Sequence, residues 1–254
     1  MVDPGKVLGV AGDADTPLPL ASVTKLLTSL AVLVAVEEGT ISLDEPAGPP
    51  GSTVRHLLAH ASGLPANGSA PVAQPGTRRI YSNTGFEMLA IAVADRAGMP
   101  FGDYLTSGVL EPLGLAGTVL AGSPASGASA PLRDLLALGR ELLAPTLVAP
   151  GTLAEATTVA FPNLAGILPG FGRQDPNDWG LGFELRDDKS PHWTGSFNSP
   201  STFGHFGQSG AFLWVDPVAG LACGSVTGRE FGPWAAEAWP RLADAVLDEY
   251  TGGS

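Results

Sequence analysis

The longest apolar stretch of the chain follows Ser22 and predicts its first helix. From Ser22 to about Glu38, Leu, Val and Ala fill most positions, and Gly39 follows directly. A run that is apolar on nearly all sides predicts a central, buried helix, and a glycine just after it commonly ends one. The run is too short to span a bilayer and contains Thr28 and Ser29. We therefore expect this helix in the core of a globular protein.

More helices are predicted in the middle of the chain. Ser52 or Thr53 is expected to cap a short helix that runs through His60, and a longer helix begins near Asn83. The other segments predicted in this part are two helices, over 101–110 and 132–144, and an irregular, Pro- and Gly-rich stretch over 145–178.

The apolar pattern changes to a strand-like one near both ends of the chain. Residues 6–12 predict a short strand before the first helix. Three more strands are predicted after residue 178, at "GLGFELR", "GAFLWVD" and "LACGSVTG", and the last two are joined by a turn at Pro217–Gly220. A final helix, interrupted by Pro240, follows them. Strands thus lie at the two ends of the chain and helices between them.

Composition narrows the choice of partners. The 254 residues include 34 Gly and 23 Pro and carry a net charge of −12, which is typical of a globular, turn-rich chain. The negative charge disfavours nucleic acid and anionic membrane surfaces, so neither is expected as a partner. A small-molecule substrate is compatible with the negative net charge. The sequence does not indicate the oligomeric state.

The single cysteine and the first residues bear on the cellular compartment. Cys223 has no partner for an internal disulfide and lies in small, apolar surroundings, which favours an inert buried thiol. The first residues lack the basic segment and long apolar segment of a secretory signal peptide. A cytoplasmic location is predicted on this basis.

The candidate chemistry begins at the start of the first helix, where Ser22 stands three residues before Lys25. A serine hydroxyl is a weak nucleophile and needs a base beside it. Residues i and i+3 share a helix face, so the two side chains can touch. A lysine that faces an apolar interior is desolvated, and this disfavours its charged form. The Ser22 amide, at a helix N-terminus, is free to bind a developing oxyanion.

Two further pairs complete the pattern: Tyr81 with Asn83, and His205 with Gly207. Each pair alone is a weak signal because short motifs arise by chance, but the three in this order indicate a catalytic site. The structural alternatives remain a surface lysine with a buried stem for Lys25, a core aromatic for Tyr81 and a structural histidine for His205.

Taken together, the motifs resemble the serine β-lactamase and penicillin-binding superfamily, in the branch of class C β-lactamases, D-alanyl-D-alanine carboxypeptidases and related esterases. The segments that carry the resemblance are "ASVTK", "LLAHASGLP", "YSN", "EPLGLAGT", "WGLGFEL" and "GHFGQSG". The resemblance implies an α/β (α+β) fold, with an antiparallel sheet flanked by helices and an all-helical subdomain. We expect residues 1–45 and 175–254 to form the sheet domain and residues 46–174 the helical one, interleaved in one unit.

The resemblance also implies the catalytic roles. Ser22 would attack a carbonyl and form an acyl-enzyme, with Lys25 and Tyr81 handling its proton. Which of Lys25 and Tyr81 is the general base stays open. The amides of Ser22 and Gln208 would form the oxyanion hole, and Gly207 would let its strand approach closely.

Two substrate-facing residues are implied in the same way. Asn83 would hold Lys25 and a polar group of the substrate, and His205 would orient Tyr81 or the substrate. The sequence departs from the family here, because β-lactamases of this branch carry lysine where His205 stands. Penicillin-recognising members also carry Thr or Ser where Phe206 stands. The missing hydroxyl at Phe206 and the net charge of −12 both favour a neutral ester or amide over a penicillin or a D-Ala-D-Ala terminus.

Other catalytic and metal motifs are weak or missing. His56 and His60 are four residues apart, but Leu57 stands where a zinc protease would have glutamate, and no third ligand is evident. No Gly-x-Ser-x-Gly elbow and no Walker loop occur. We therefore expect neither a metal nor a cofactor.

The motifs favour a serine hydrolase that acts through an acyl-enzyme, with small neutral esters as its substrates. A D-Ala-D-Ala carboxypeptidase or β-lactamase-like amide hydrolase is the first alternative. A non-catalytic binding protein on the same fold is the second, and the intact Ser22, Lys25 and Tyr81 argue against it.

Overall fold

The computed structural model describes residues 1–252, and helices make up most of its regular structure. In chain order they are α1 (Thr24–Glu37), α2 (Val54–Leu58), α3 (Asn83–Ala97), α4 (Phe101–Leu105), α5 (Leu132–Leu143), α6 (Pro150–Ala156) and α7 (Pro233–Thr251). A short 3-10 turn, Ala21–Val23, leads into α1, and a π-helical turn, Thr106–Leu110, extends α4.

The strands form one main sheet and two small ones. The small sheets contain β1 (Leu18–Pro19), β2 (Val119–Leu120) and β3 (Ala128–Ala130) in the order β1-β3-β2, and the hairpin of β4 (Gly166–Leu168) with β5 (Gly172–Gln174). The main sheet contains β6 (Glu184–Leu185), β7 (Phe203–Phe206), β8 (Phe212–Asp216) and β9 (Leu221–Ser225), in that order and antiparallel throughout.

The main sheet is covered by helices on both faces because side chains alternate along its strands. On β8, Leu213 and Val215 belong to the apolar core that includes α1 and α5, whereas Phe212 and Trp214 join the aromatic cluster around Trp239 of α7. This arrangement confirms the predicted antiparallel sheet flanked by helices.

Helix α1 lies at the centre of the molecule. Every residue from Thr24 to Ala35 is buried, and the helix contacts α3, α4 and β7. This position matches the run of apolar residues on all its sides. Within residues 1–252, no helix combines the length and hydropathy needed to cross a membrane.

The strand predicted over residues 6–12 is wrong. Val7 forms only an isolated bridge with Val2, and Val2 in turn bridges Ala222 at the edge of β9. Val7 and Val10 are each about half exposed, at 50% and 49%. Only Leu8 packs against the aromatic cluster, while Val7 and Val10 face solvent, so the segment does not extend the sheet.

Two further expectations are corrected. Residues 145–178 are not irregular throughout, since they contain α6, with Pro150 at its first position, and the β4–β5 hairpin. The final helix is not interrupted, because α7 continues through Pro240. Trp239 and Ala243, on either side of the proline, are buried against the sheet and hold both halves in place.

Candidate active site

Ser22 lies in the 3-10 turn before α1, at the edge of a pocket of about 280 Å³. The preceding residue, Ala21, has a φ of 45°, a left-handed conformation that non-glycine residues rarely adopt. Such strain is characteristic of functional sites, where the surrounding structure holds a side chain in a special direction. The local backbone therefore presents the Ser22 hydroxyl to the pocket.

Tyr81 contacts Ser22 directly. Its hydroxyl donates a hydrogen bond to Ser22 Oγ at 2.7 Å. Tyr81 is held just before α3, where the Ser82 hydroxyl caps the helix by accepting a hydrogen bond from the Gly85 amide. Burial raises the pKa of Tyr81, so its hydroxyl is protonated at neutral pH.

Lys25 is fully buried one helical turn from Ser22. Its ammonium donates to Asn83 Oδ1 and to the carbonyl oxygen of Ala125, both at 2.8 Å. It also lies 4.6 Å from the centre of the Tyr81 ring. Burial lowers the pKa of Lys25 to about 7, and the charge of Glu87 opposes this only in part. Within residues 1–252 no carboxylate lies within ion-pair distance of Lys25.

Asn83 connects Lys25 to the pocket. While its Oδ1 accepts from Lys25, its Nδ2 donates to Asn67 Oδ1 at 3.1 Å. The side chain also lines the pocket. The two hydrogen bonds fix the orientation of the amide, so its oxygen faces the lysine.

His205, on β7, lines the same pocket. Its Nδ1 contacts the carbonyl oxygen of Phe206 at 2.6 Å, which places the proton on Nδ1 and leaves Nε2 as an acceptor. Nε2 is buried and has no partner within residues 1–252. Burial, with a smaller effect from the Lys25 charge, lowers the pKa of His205 to about 3, so the ring is neutral.

The end of β7 lies against the backbone of Ser22. A Cβ on residue 207 would lie 2.4 Å from the Leu20 carbonyl oxygen and 3.0 Å from the Ser22 nitrogen, so only glycine fits there. The amides of Ser22 and Gln208 donate no hydrogen bond to any other residue in the described part of the chain. Two free donors thus meet beside the Ser22 hydroxyl.

The side chain of Phe206 is shared between the pocket and the core. It lines the pocket, but its ring also packs against Phe171, Trp193 and Trp239, with centroids 5.7 Å away in each case. Phe206 therefore gives the pocket an apolar aromatic wall without a hydrogen-bond donor.

Two side chains outside the predicted catalytic set also line the pocket: Trp179, for which the sequence left cleft lining and core packing open, and Glu184, which the sequence did not indicate. Trp179 packs its ring against His205 at 5.5 Å and Tyr81 at 5.9 Å. Glu184 is buried at the start of β6. "WGLGFEL" contains both residues, but the segment signals a strand and gives no sign of which side chains face the site.

Glu184 is held by three donors. His192 Nε2 and Trp193 Nε1 each donate to its Oε2 at 2.9 Å, and Lys189 donates to its Oε1. Burial opposes its ionisation, but His192 and Lys189 outweigh burial and lower its pKa to about 2. Glu184 therefore remains ionised beneath the pocket.

The two histidines considered for zinc have other partners. His56 Nδ1 contacts Thr53 Oγ1 at 2.9 Å. His60 Nδ1 accepts a hydrogen bond from the Ser82 amide at 3.1 Å, and its ring packs against Tyr81 at 4.6 Å. The His56 ring thus holds the residue before α2, and the His60 ring holds the residue before α3.

Family comparison agrees with this geometry. A family model described as β-lactamase matches residues 2–247, almost the whole chain. The chain belongs to the β-lactamase family. The resemblance inferred from the motifs is thereby confirmed.

Individual relatives add detail. A solved β-lactamase from Mycobacterium bovis is 56% identical, with a TM-score of 0.97, over 98% of this chain and 93% of that one. The D-alanyl-D-alanine carboxypeptidase/endopeptidase AmpH of Escherichia coli is 30% identical over 147 residues. That match spans 43% of this chain and 38% of the length of the relative.

A more distant structure shares the fold alone. EstCE1, described as a hydrolase with promiscuous acyltransferase activity, has a TM-score of 0.75 at 19% identity, over 92% of this chain and 85% of that one. Proteins with different names thus share one architecture, and the substrate has to be argued from the pocket itself.

Proposed function

We propose that the protein is a serine hydrolase that cleaves small neutral esters through an acyl-enzyme on Ser22. The observation that carries the proposal is the 2.7 Å contact between the Tyr81 and Ser22 hydroxyls beside a buried lysine. A nucleophile within hydrogen-bond reach of a proton-transfer group is the minimum that acyl transfer requires.

Lys25 is the proton acceptor in this mechanism. A neutral amine has two N–H donors and one lone pair, and carbonyl oxygens of Asn83 and Ala125 occupy both donors. Its lone pair is left for a proton. For this step the Tyr81 hydroxyl turns its proton from Ser22 Oγ toward Lys25, whose nitrogen lies 4.6 Å from the centre of the ring. As Ser22 attacks the ester carbonyl, its proton then passes to Tyr81, and the Tyr81 proton passes to Lys25. Tyr81 does not need to ionise beforehand, which suits its raised pKa.

The oxyanion forms between Ser22 and the end of β7. The free amides of Ser22 and Gln208 donate to it and stabilise the tetrahedral intermediate. Collapse of the intermediate breaks the ester bond, and the alcohol leaves with the proton returned through Tyr81. Water then attacks the acyl-enzyme by the same route and releases the acid.

The lining of the pocket supports an uncharged substrate. Neutral His205 offers an acceptor where a charged lysine would bind a carboxylate, and Phe206 offers no hydroxyl. None of the described residues that line the pocket is lysine or arginine, and Glu184 is ionised. A carboxylate next to the reacting carbonyl would be desolvated here without a counter-charge.

Substitution of the nucleophile tests the proposal. Ser22→Ala is expected to lower hydrolysis of p-nitrophenyl butyrate by several powers of ten and to abolish the adduct that a fluorophosphonate forms in intact-mass spectrometry. Ser201→Ala, which removes an exposed hydroxyl outside the pocket, serves as the matched control. Activity of Ser22→Ala above about a hundredth of the wild type would overturn the assignment.

Hydrolysis of β-lactams or D-Ala-D-Ala peptides is the second candidate, favoured by the names of the relatives from Mycobacterium bovis and Escherichia coli. Nitrocefin and a D-Ala-D-Ala peptide, assayed beside the nitrophenyl ester, separate the two candidates. The proposal predicts that the nitrophenyl ester is turned over and that nitrocefin and the D-Ala-D-Ala peptide are hydrolysed only slowly. Efficient nitrocefin hydrolysis would replace the ester with a β-lactam as the substrate class.

A further inference from the structure

A groove of about 780 Å³ adjoins the catalytic pocket and has no role in the mechanism above. The two cavities share Ala66, Tyr81 and Pro169 as lining residues. The groove runs along the chain segment that precedes Tyr81 and along the β4–β5 hairpin. A substrate chain that leaves the reacting carbonyl past Tyr81 therefore enters this groove.

Positive charge is concentrated in the groove, although the chain as a whole carries −12. Three arginines line it: Arg78, Arg79 and Arg173. Arg173 is paired with Asp175 at 2.8 Å. Arg78 is exposed, and within residues 1–252 no carboxylate lies within ion-pair distance of it.

Arg79 adds a fixed positive charge below the groove. It is buried and donates to the carbonyl oxygens of Asn177, Ala59, Ala160 and Phe161, with no carboxylate in contact. Burial lowers its pKa to about 10, so it stays charged at neutral pH. Four of its five N–H donors are hydrogen-bonded to these carbonyl oxygens, so Arg79 acts on the groove mainly through its positive charge. Arg78 supplies the free hydrogen-bond donors.

The walls between these charges are apolar. Val72 and Ile167 are 62% and 66% exposed, a large fraction for aliphatic side chains. An apolar channel with an unpaired guanidinium suits a ligand with an aliphatic chain and an anionic end.

We propose that the groove binds the distal part of the substrate, and that this part is an aliphatic chain ending in an anionic group. The inference rests on the proposed ester hydrolysis and extends it, because the minimal neutral ester fills only the pocket. Arg78 is the specificity residue for the anion. The anion is bound away from the reacting carbonyl, so the cation-free pocket around Ser22 stays compatible with it.

The position of the groove favours a longer chain. Tyr81 touches Ser22, and Arg78 lines the groove that adjoins the pocket at Tyr81. A suberate hemiester, with six methylene groups between its carboxyl carbons, extends further past Tyr81 toward Arg78 than a succinate hemiester, which has two. We therefore expect hemiesters of suberate to be preferred over those of succinate.

Matched esters test the proposal. Mono(p-nitrophenyl) suberate carries a terminal carboxylate, and methyl p-nitrophenyl suberate has the same chain without the charge. The ratio of their kcat/KM values measures anion preference, and about tenfold in favour of the hemiester is expected at low salt. The p-nitrophenyl ester of 8-phosphonooctanoate tests whether the groove prefers a phosphate-like anion to a carboxylate. Faster hydrolysis of either anionic ester than of the methyl ester supports the proposal that the groove binds an anion.

Variants locate the effect. Arg78→Ala is expected to reduce the preference to below about twofold, through a higher KM for the hemiester, and Arg78→Lys to restore part of it. Arg241→Ala is the matched control because it removes an exposed arginine on α7, outside the groove. Added salt should weaken the preference as well, since exposed charges are screened.

The outcomes separate this inference from the proposed function. If both suberate esters are hydrolysed at equal rates, or if the ratio is unchanged in Arg78→Ala, the groove does not bind the anion. The proposed ester hydrolysis is unaffected by either result. Failure of the wild-type protein to hydrolyse any of the esters overturns the esterase and the inference with it.

Discussion

Two of the three lysines in this chain are buried, and they have different surroundings. Lys25 contacts only neutral oxygens, those of Asn83 and Ala125. Lys189 contacts the Glu184 carboxylate as well as the carbonyl oxygens of Asp178 and Leu185. Burial lowers the pKa of both, but Glu184 opposes the effect at Lys189, whereas the Lys25 pKa falls to about 7.

The comparison teaches that burial alone does not make a lysine a base. What matters is the charge of the group that replaces water. A carboxylate partner preserves the ammonium and turns the pair into a structural ion pair. Carbonyl partners orient the nitrogen equally well but leave the proton removable near neutral pH. The largest differences between the two sites should therefore appear when each lysine is replaced by methionine.

Replacing Lys25 should affect catalysis most. Lys25→Met removes the proposed proton acceptor, and kcat/KM for p-nitrophenyl butyrate is expected to fall about a thousandfold, the usual contribution of a general base. Steady-state kinetics measure this. Lys6→Met, at an exposed position, is the control. A loss of less than about tenfold would assign the base to Tyr81 alone.

Replacing Lys189 should affect stability instead. Lys189→Met leaves Glu184 buried with His192 as its remaining partner of opposite charge, and we expect the free energy of unfolding to fall by about 3 kcal/mol. Denaturant titration checks this. The double variant Lys189→Met/Glu184→Gln should regain part of the loss because the unpaired charge is gone. If the single and double variants are equally stable, the ion pair does not act as described.

The pH dependence of catalysis separates the two lysines further. Lys25 is a base only when unprotonated, so kcat/KM should rise about tenfold from pH 6 to pH 8 and then level off, as expected for a pKa near 7. Asp178, whose pKa is raised by burial to about 6, is a second group that titrates in this range. A shifted profile in Asp178→Asn would assign the titration to Asp178. An unchanged profile would exclude Asp178 and support Lys25, the titrating group one helical turn from Ser22.

The smallest effect concerns stability as a function of pH. The folded pKa of Lys25, about 7, lies below its unfolded value, so the unfolded state binds more protons from about pH 7 to pH 10. Stability contributed at this site therefore increases with pH, by about 1 kcal/mol between pH 7 and pH 8. The difference in unfolding free energy between wild type and Lys25→Met should follow this slope. A difference independent of pH would show that Lys25 stays charged.

The local sequence predicts the catalytic role of Lys25 but gives no sign of the buried ion pair of Lys189. Lys25 was singled out because its spacing from Ser22 and the apolar run after it lie within a few residues. The same holds for Tyr81 with Asn83, at the start of α3. Helices α1, α3 and α5 were also predicted to within a few residues, since their patterns are long.

Features that depend on contacts between distant segments were not predictable in this way. Lys189 and His192 surround Glu184 through a loop whose sequence carries no periodic pattern. The β4–β5 hairpin is short, with three residues in each strand, and residues 6–12 look like a strand but pair only through the single bridge of Val7 with Val2. The structure of such segments depends on their tertiary contacts, and the local sequence pattern carries no information about those contacts.

The close approach of Gly207 to Leu20 and Ser22 also bears on how the chain folds. The oxyanion site joins residues about 185 positions apart in sequence, and closing so long a loop carries an entropy cost that early local structure does not offset. Helix α1 can form without β7, but Ser22 and Gln208 meet only after the last strands have docked. Recovery of catalytic activity during refolding therefore reports the arrival of the C-terminal half of the sheet, a step that helix content measured by circular dichroism does not detect.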